Sequence, residues 1–213
     1  MAIPDASVTS VNVGRIAQLQ TPQGTVASAI VKQPAHGRVR LEGVNAAGDD
    51  QADRGVHGGP DRAVYAYGAE DYAWWESELG RPLAPGTFGE NLTTSGLDVN
   101  QSVIGERWAI GDAELEVSSP RVPCFKLAAR MNDPRFVKTF GHARRPGPYM
   151  RITRPGTIAA GDRISVVSRP SHGIRVVDFF TIYLFERKRL RELLAAPEIP
   201  TDWTDWIHEQ LAS

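Results

Sequence analysis

Residues 119–127 have the sequence SPRVPCFKL and contain Cys124, the only cysteine in 213 residues. The two prolines fix their own φ and hold the residues before them extended, so this loop is predicted to be stiff. Arg121 and Lys126 flank the thiol, and nearby positive charge favours the thiolate, which is both a nucleophile and a soft metal ligand. Most lone cysteines are buried and inert. From these residues alone, a reactive or ligating Cys124 and an inert one are equally open.

The hydrophobic pattern around this loop predicts a mainly β chain. Leu115 and Val117 alternate with acidic residues, which indicates a half-buried strand that leads into the loop. Similar patterns predict strands at 11–16, 25–31, 38–41, 63–67, 107–110, 114–118, 149–152 and 163–167. Helices are predicted at 69–79, 125–131 and 135–140, and residues 42–53 are predicted to form a loop.

The C-terminal tail has a helical character. Residues 178–196 lack glycine and proline, and Asp178 is predicted to cap the helix there. A last helix is predicted at 201–211, where Trp203, Trp206 and Ile207 share one apolar face. Many short strands, few helices and this tail together predict a mainly β, barrel-like domain in residues 1–170 and a small helical domain in residues 171–213.

Composition excludes several classes of protein. The chain is 41% hydrophobic, has a net charge of -1 and contains no apolar run long enough for a membrane span, so neither a membrane protein nor a nucleic-acid-binding protein is predicted. One cysteine excludes an internal disulfide framework, and the N-terminus does not resemble a signal peptide, so a cytoplasmic location is expected. Residues 121–154 nevertheless carry nine Lys/Arg and one acid, 9 − 1 = +8. This tract is either a solvated basic face or a site for a small anionic ligand near Cys124.

Common metal and phosphate motifs are missing from the sequence. The five histidines are dispersed, and neither a phosphate loop, a Rossmann fingerprint nor a nucleophile elbow is present. Four local clusters remain: the sequence HGGPDR at 57–62, FGEN at 88–91, Lys32 at the end of an apolar strand, and the Cys124 loop. The first three also have structural interpretations, as a tight surface turn, a turn before a strand and a surface lysine.

Taken together and in this order, the HGGPDRA, FGENL and PRxPCxKL segments resemble the MOSC-domain proteins (molybdenum cofactor sulfurase C-terminal domain) of the YiiM type. The resemblance covers nearly the whole chain. It implies a MOSC-type β-barrel that holds molybdenum cofactor, a molybdopterin with a terminal phosphate, followed by a three-helix domain. The sequence departs from relatives at Gly55, where a charged residue is frequent, and at Pro148, where tryptophan is frequent.

The resemblance also implies roles for individual residues. Cys124 is expected to bind molybdenum through its thiolate, which suits thiophilic metals, and His57 is expected to deliver protons. The residues expected around the cofactor or its entrance are Lys32, His57, Asp61, Arg62, Glu90, Asn91, Arg121 and Lys126.

The implied activity is the reduction of N-hydroxylated purines, amidoximes and hydroxylamines by a molybdenum-dependent oxidoreductase that does not need pyridoxal phosphate. The chain has no flavin, haem or iron–sulfur motif, so an external reductase must supply electrons. Homodimers are expected from the family. One alternative is a carrier of cofactor or sulfur that forms a Cys124 persulfide without turnover. A second is a nucleic-acid-binding barrel, which the near-neutral charge disfavours.

Overall fold

The computed structural model describes residues 6–52 and 58–212. Its strands are β1 Ser7–Val13, β2 Ala17–Thr21, β3 Gly24–Ser28, β4 Gln33–Pro34, β5 Val39–Glu42, β6 Asn45–Ala46, β7 Val64–Gly68, β8 Leu92–Ser95, β9 Arg107–Ile110, β10 Ala113–Pro120, β11 Pro148–Arg154, β12 Gly156–Ile158 and β13 Ile164–Ser168. Its α-helices are α1 Ala69–Leu79, α2 Phe125–Met131, α3 Phe136–Ala143, α4 Val176–Phe185, α5 Leu190–Leu193 and α6 Thr201–Ala212.

One mixed sheet of eight strands dominates the fold, in the order β13-β9-β10-β11-β7-β8-β1-β4. All its neighbours are antiparallel except β7 and β8, which run parallel. The backbone N–H of Val8 donates to the carbonyl of Asp162 at 2.9 Å, and that of Ile164 donates to Ala6 at 2.7 Å. The start of β1 therefore also forms hydrogen bonds with the segment in which β13 begins. The structure confirms that β-sheet dominates the fold, as predicted for a mainly β chain.

The interior consists of two groups of packed apolar side chains. The larger group lies between the sheet and the C-terminal helices, and it includes Leu115 and Val117 of β10 together with Phe179 and Ile207 of the helices. The helices thus bury their apolar faces against the sheet and share its core. The smaller group is mostly aromatic and lies beside the Cys124 loop; its largest members are Tyr65, Tyr67, Tyr72, Trp75, Phe88, Phe136, Phe140 and Phe180.

The structure confirms helices at 69–79 and 125–131 and the strand at 107–110, and it corrects several other predictions. The first strand begins and ends earlier than predicted, which leaves Ile16 outside it and 49% exposed. Strand β2 was missed because its sequence, AQLQT, is mostly polar. The predicted loop 42–53 contains the short strand β6.

The predicted helix 178–196 is divided in the structure. Helix α4 begins at Val176 and stops at Phe185, because Glu186 leaves the helical region with φ −131° and ψ 45°. A 3₁₀ turn and α5 follow. Asp178 therefore lies inside the first turn, where its carboxylate accepts a hydrogen bond from the backbone N–H of Arg175 at 3.2 Å. In the described part of the chain, every helix is too short or too polar to cross a membrane.

Candidate functional site

The Cys124 loop is held at both ends by backbone hydrogen bonds. Strand β10 ends at Pro120, opposite Pro148 of β11, and the next N–H, that of Arg121, donates to the Gly147 carbonyl at 3.0 Å. Cys124 is extended (φ −133°, ψ 169°) and forms the N-cap of α2, where its carbonyl accepts the N–H of Leu127 at 3.0 Å. The stiff loop that the prolines predict thus places a partly buried thiol at a fixed strand-to-helix junction.

A pocket of about 650 Å³, partly open to solvent, surrounds this junction. Its described lining residues come from six separate regions of the chain: Ser28, Ala29, Ile30, Lys32, Asp49, Asp50, Gln51, Ala52, Arg62, Ala63, Tyr65, Phe88, Gly89, Asn91, Arg121, Cys124, Lys126 and Tyr149. Six of the predicted site residues meet here: Lys32, Arg62, Asn91, Arg121, Cys124 and Lys126.

Lys32 lies in the pocket wall as half of a buried ion pair. Its side chain is 7% exposed and its Nζ contacts Oδ1 of Asp49, whose side chain is 3% exposed. Burial lowers the pKa of Lys32, while the charge and the hydrogen bond of Asp49 oppose that shift. The surface-lysine interpretation is therefore excluded. Asp49 itself was not predicted as a site residue, because it lies in a Gly/Asn/Asp-rich tract that favours a loop.

Asn91 fixes the geometry of this ion pair. Its Nδ2 donates to Oδ2 of Asp49 at 2.8 Å, and its Oδ1 accepts the N–H of Tyr65 at 3.1 Å. The backbone N–H of Gly14 donates to Oδ1 of Asp49 at 2.7 Å. The carboxylate of Asp49 thus receives hydrogen bonds from three directions, which offsets much of the cost of burying it.

Arg121 is a buried cation with spare hydrogen-bonding capacity. The residue is 4% exposed, and its guanidinium lies 5.7 Å from the ring centre of Tyr65 and 5.5 Å from that of Phe140. Its Nη1 is buried and has no hydrogen-bond partner among residues 6–52 and 58–212. A buried donor without a partner is costly, and Arg121 is one of the residues that line the pocket. Tyr65 and Tyr149, which line the same wall, were also not predicted.

Glu90 lies behind the pocket and is not among its described lining residues. It is fully buried, and its Oε1 accepts hydrogen bonds from the hydroxyl of Tyr72 at 2.6 Å, the N–H of Gly86 at 2.7 Å and the hydroxyl of Thr93 at 2.8 Å. Burial raises the pKa of Glu90, and these hydrogen bonds oppose the shift. The residue thus joins α1, the loop before β8 and β8 itself.

The glycines of this loop permit its close approach to Lys32. Gly86 has φ +84°, and a Cβ there would lie 2.8 Å from the Lys32 carbonyl oxygen. Gly89 has φ +80°, and its Cβ would meet Ile30 at 2.8 Å. Both positions therefore require glycine, for backbone conformation and for space.

The HGGPDR segment is only partly assembled at the pocket. Arg62 lines it, and its Nη2 also donates to Asp202 of α6 at 2.5 Å. Asp61 contacts Arg151 instead and is not among the described residues of the pocket wall. His57 and the departure at Gly55 lie outside the described residues. The second departure, Pro148, begins β11 and is buried.

Most of the basic tract lies outside the described pocket wall. Of its nine cations only Arg121 and Lys126 are in the described wall. Arg145 binds Asp71 at 2.6 Å, and Arg151 binds Glu116 at 2.9 Å in addition to Asp61. The tract as a whole is therefore not one anion site. The described wall still combines four cations, Lys32, Arg62, Arg121 and Lys126, with two acids, Asp49 and Asp50, a balance of 4 − 2 = +2.

The described residues contain no cluster of three or more His, Cys, Asp or Glu side chains able to hold a metal ion. The pocket offers one thiol, so a metal held there must bring most of its own ligands. A metal complex with an anionic, hydrogen-bonding organic ligand fits the donors present, because the Arg121 Nη1 lacks a partner and cationic side chains line the wall.

Comparison with known proteins gives consistent results. Residues 53–165 match the family model described as MOSC domain. The chain is 39% identical over 170 residues to the uncharacterized protein YflK of Bacillus subtilis, a match that covers 80% of this chain and 77% of that protein. It is 40% identical over 198 residues to a protein of Gibberella moniliformis named Reductase, covering 89% of this chain and 35% of that protein. The crystal structure of YiiM from Geobacillus stearothermophilus superposes with a TM-score of 0.80 at 28% identity, covering 97% of this chain and 99% of that one.

Proposed function

The chain belongs to the MOSC domain family, as its motifs predict, and we propose that it is a molybdenum-cofactor-dependent reductase of N-hydroxylated compounds. The observation that carries this proposal is that Cys124 and Arg121, whose buried Nη1 has no partner among the described residues, both line one cation-rich pocket. The fungal relative named Reductase supports the reaction class.

The residues of the pocket divide into a metal ligand and a set of ligand-binding groups. The Cys124 thiolate would bind molybdenum. Arg121, Lys126 and Arg62 would balance the anionic groups of the molybdopterin, and Lys32 and Asn91 would complete the polar wall. When bound, the cofactor supplies the two electrons that cleave the N–O bond of the substrate.

The protein's own residues supply position and protons. Cleavage of an N–OH group to N–H consumes two electrons and two protons and releases water. The Lys32 ammonium, held by Asp49 in the pocket wall, is one proton source, and His57 remains a proposed second source. The electrons come from an external reductase. Since only 35% of the longer fungal reductase is matched, further polypeptide accompanies the shared region in that relative.

The proposal includes the finer features of the family fold. These are a closed MOSC-type β-barrel in residues 1–170, a small C-terminal helical domain at 171–213 that packs on it, a cytoplasmic location and a homodimer. The bonds between β1 and residues 161–164 support barrel closure.

Metal analysis of protein produced with full cofactor supply tests the proposal. We expect close to one molybdenum per chain in the wild type and turnover of benzamidoxime with an artificial electron donor. Cys124→Ser is expected to lose most of both, because a hydroxyl is a poor ligand for a thiophilic metal. Lys126→Ala should retain less molybdenum than wild type. Lys138→Ala is the matched control, since Lys138 belongs to the same basic tract but is exposed and outside the described pocket wall.

Other results would contradict the proposed function. Absence of molybdenum from the wild type, or full activity in Cys124→Ser, would refute the proposal. A labile sulfur on Cys124 by mass spectrometry, without molybdenum, would support the carrier alternative instead.

A further inference from the structure

The guanidinium of Arg62 joins the pocket wall to the C-terminal helices. Arg62 lines the pocket, its side chain is 14% exposed, and its Nη2 donates to Oδ2 of Asp202 at 2.5 Å. Asp202 lies in the first turn of α6, 140 residues further along the chain. The described lining residues of the pocket include none from the C-terminal helices. Helix α6 therefore contacts the wall through Arg62 without forming part of it.

The carboxylate of Asp202 is held from two sides. Its Oδ1 accepts the backbone N–H of Trp203 at 3.0 Å, while its Oδ2 accepts the Arg62 donor. The first turn of a helix also favours a carboxylate, because the helix dipole is positive there. Helix α6 is anchored in the core, since Ile207 is fully buried and the rings of Trp203 and Phe179 have centres 5.1 Å apart. Asp202 is therefore a fixed acceptor, although 54% of its side chain is exposed.

The backbone of Arg62 is held separately, by the pocket wall itself. Gln51, which lines the pocket, donates from Nε2 to the Arg62 carbonyl at 3.3 Å and accepts the N–H of Gly59 at Oε1 at 3.0 Å. The N–H of Arg62 donates to the Gly59 carbonyl at 3.2 Å. These bonds fix the backbone, whereas the long side chain has many rotamers, and to fix one of them costs up to about 2 kcal/mol of conformational entropy. The ion pair with Asp202 is what holds the guanidinium in one place.

The charge of Arg62 acts inside the pocket. Burial raises the pKa of Tyr149, and the charges of Arg121 and Arg62 oppose that rise. Tyr149 and Arg121 are both lining residues, so Arg62 and Arg121 act on the same part of the wall. A guanidinium carries five N–H donors in a planar fork. The hydrogen bond to Asp202 occupies one of them and leaves others for a ligand.

We propose that Asp202 is a positioning residue, which from α6 holds the Arg62 guanidinium in the orientation that binds an anionic group of the ligand in the Cys124 pocket. The inference rests on the function proposed above. It adds a role for the C-terminal helices, which complete the binding wall without lining it.

A double-mutant cycle separates positioning from a general contribution to stability. Asp202→Asn keeps the shape of the side chain and an oxygen for the N–H of Trp203, but it removes the charge. Asp205→Asn is the matched control, because Asp205 is an exposed acid on the same helix. Both substitutions are made in the wild type and in Arg62→Ala, or in Arg62→Gln if the alanine variant does not fold.

Two quantities are measured for each folded variant. One is the molybdenum content per chain, after production with full cofactor supply and dialysis against high salt. The other is the affinity of the metal-free protein for inorganic phosphate, measured by calorimetry. Asp202→Glu tests rescue, because it restores the carboxylate.

We expect Asp202→Asn to weaken phosphate binding about fivefold, as for the loss of a partly exposed ion pair, and to lower the molybdenum content. In the Arg62 variant it should change neither quantity, because Asp202 acts through that guanidinium. Asp202→Glu should recover most of the affinity, and Asp205→Asn should match its parent in both backgrounds.

Several results would overturn the positioning role. These are an unchanged affinity in Asp202→Asn, the same weakening in both backgrounds, or tighter binding, which would mean that Asp202 competes with the ligand for Arg62. A wild type that contains molybdenum would leave the proposed function standing in each case. Phosphate binding that depends on Asp202 only when Arg62 is present, in a wild type without molybdenum, would support the positioning role and refute the reductase. If the wild type binds neither molybdenum nor phosphate, both proposals fail.

Discussion

Replacement of Asp49 by asparagine tests the buried ion pair in the pocket wall. The side chain keeps its shape and an oxygen for the N–H of Gly14, but it loses its charge. The Lys32 ammonium, 7% exposed, is then left in the protein interior without its closest counter-charge. Because Asp49 is also the acceptor for Asn91 at 2.8 Å, the substitution disturbs the wall on two sides.

The expected loss of stability at pH 7 is about 3–5 kcal/mol, the usual cost of removing one partner of a buried ion pair. The free energy of deprotonating Lys32 sets an upper limit on this loss of stability. Lysine with its ordinary pKa of 10.5 can release its proton at pH 7 for about 1.36 kcal/mol per pH unit over 3.5 units, or about 5 kcal/mol. A larger loss is therefore not expected, because the stranded ammonium would become neutral instead.

The pH dependence of the variant has a definite sign. Burial already lowers the pKa of Lys32, and loss of the opposing Asp49 charge lowers it further. Between that lowered pKa and 10.5 the unfolded chain binds more protons than the folded chain, so stability contributed by this group rises with pH. The cost of Asp49→Asn should accordingly be smaller at pH 9.5 than at pH 7.

Urea unfolding at the two pH values measures both effects. Asp50→Asn is the control, because Asp50 lines the same pocket but its Oδ2 accepts the N–H of Ile16 at 3.3 Å, and its loss should cost less than about 1 kcal/mol. A cost below about 1 kcal/mol for Asp49→Asn at pH 7, or the same cost at both pH values, would refute the reasoning.

Two further substitutions probe the groups behind the pocket. Burial raises the pKa of Glu90, so the wild type should lose stability as the pH rises from 4.5 towards that raised value. Glu90→Gln should remove this pH-dependent loss, which urea unfolding at pH 5 and pH 8 measures. The same difference in stability between variant and wild type at both pH values would contradict the prediction. Phe140→Leu removes a ring whose centre lies 5.5 Å from the guanidinium of Arg121, so it should lower the molybdenum content of the protein. Phe136→Leu is the control and should lower it less, because the Phe136 ring is equally buried but, in the described structure, does not lie over that guanidinium. Equal molybdenum content in the two variants would count against a positioning role for Phe140.

The fold was predictable where the local pattern and the tertiary environment agree. Helix α1 ends at Gly80, which adopts the left-handed conformation that favours glycine, and the predicted boundary is correct. Strand β2 was not predictable in the same way. It pairs only with β3, and its five residues are exposed or partly exposed, so it lacks the apolar alternation of a strand that packs on a core.

The site was predictable in its motifs and not in its supporting residues. Lys32, Asn91, Arg121 and Cys124 were identified from the three motifs and a strand end, and they meet in one pocket. Asp49 was missed because a single acid in a Gly/Asn/Asp-rich tract has the same local pattern whether it is solvated or buried. The predicted strand 25–31 ends at Ser28 in the structure, so Lys32 lies between β3 and β4. Only the packing of Lys32 and of Asn91, which precedes β8, against that tract makes Asp49 a partner.

The sum of charges along residues 121–154 did not predict which cations are available at the pocket. Residues 121–154 sum to +8, yet Arg145 and Arg151 are neutralised by acids from distant segments, which no count along the chain can reveal. Arg121 differs because it is buried between two aromatic rings and its Nη1 has no partner in the described structure. An anion gains most from a cation that is held in place, poorly solvated and not already paired. The capacity of the pocket for an anionic ligand therefore follows from the burial of Arg121 and not from the density of basic residues around it.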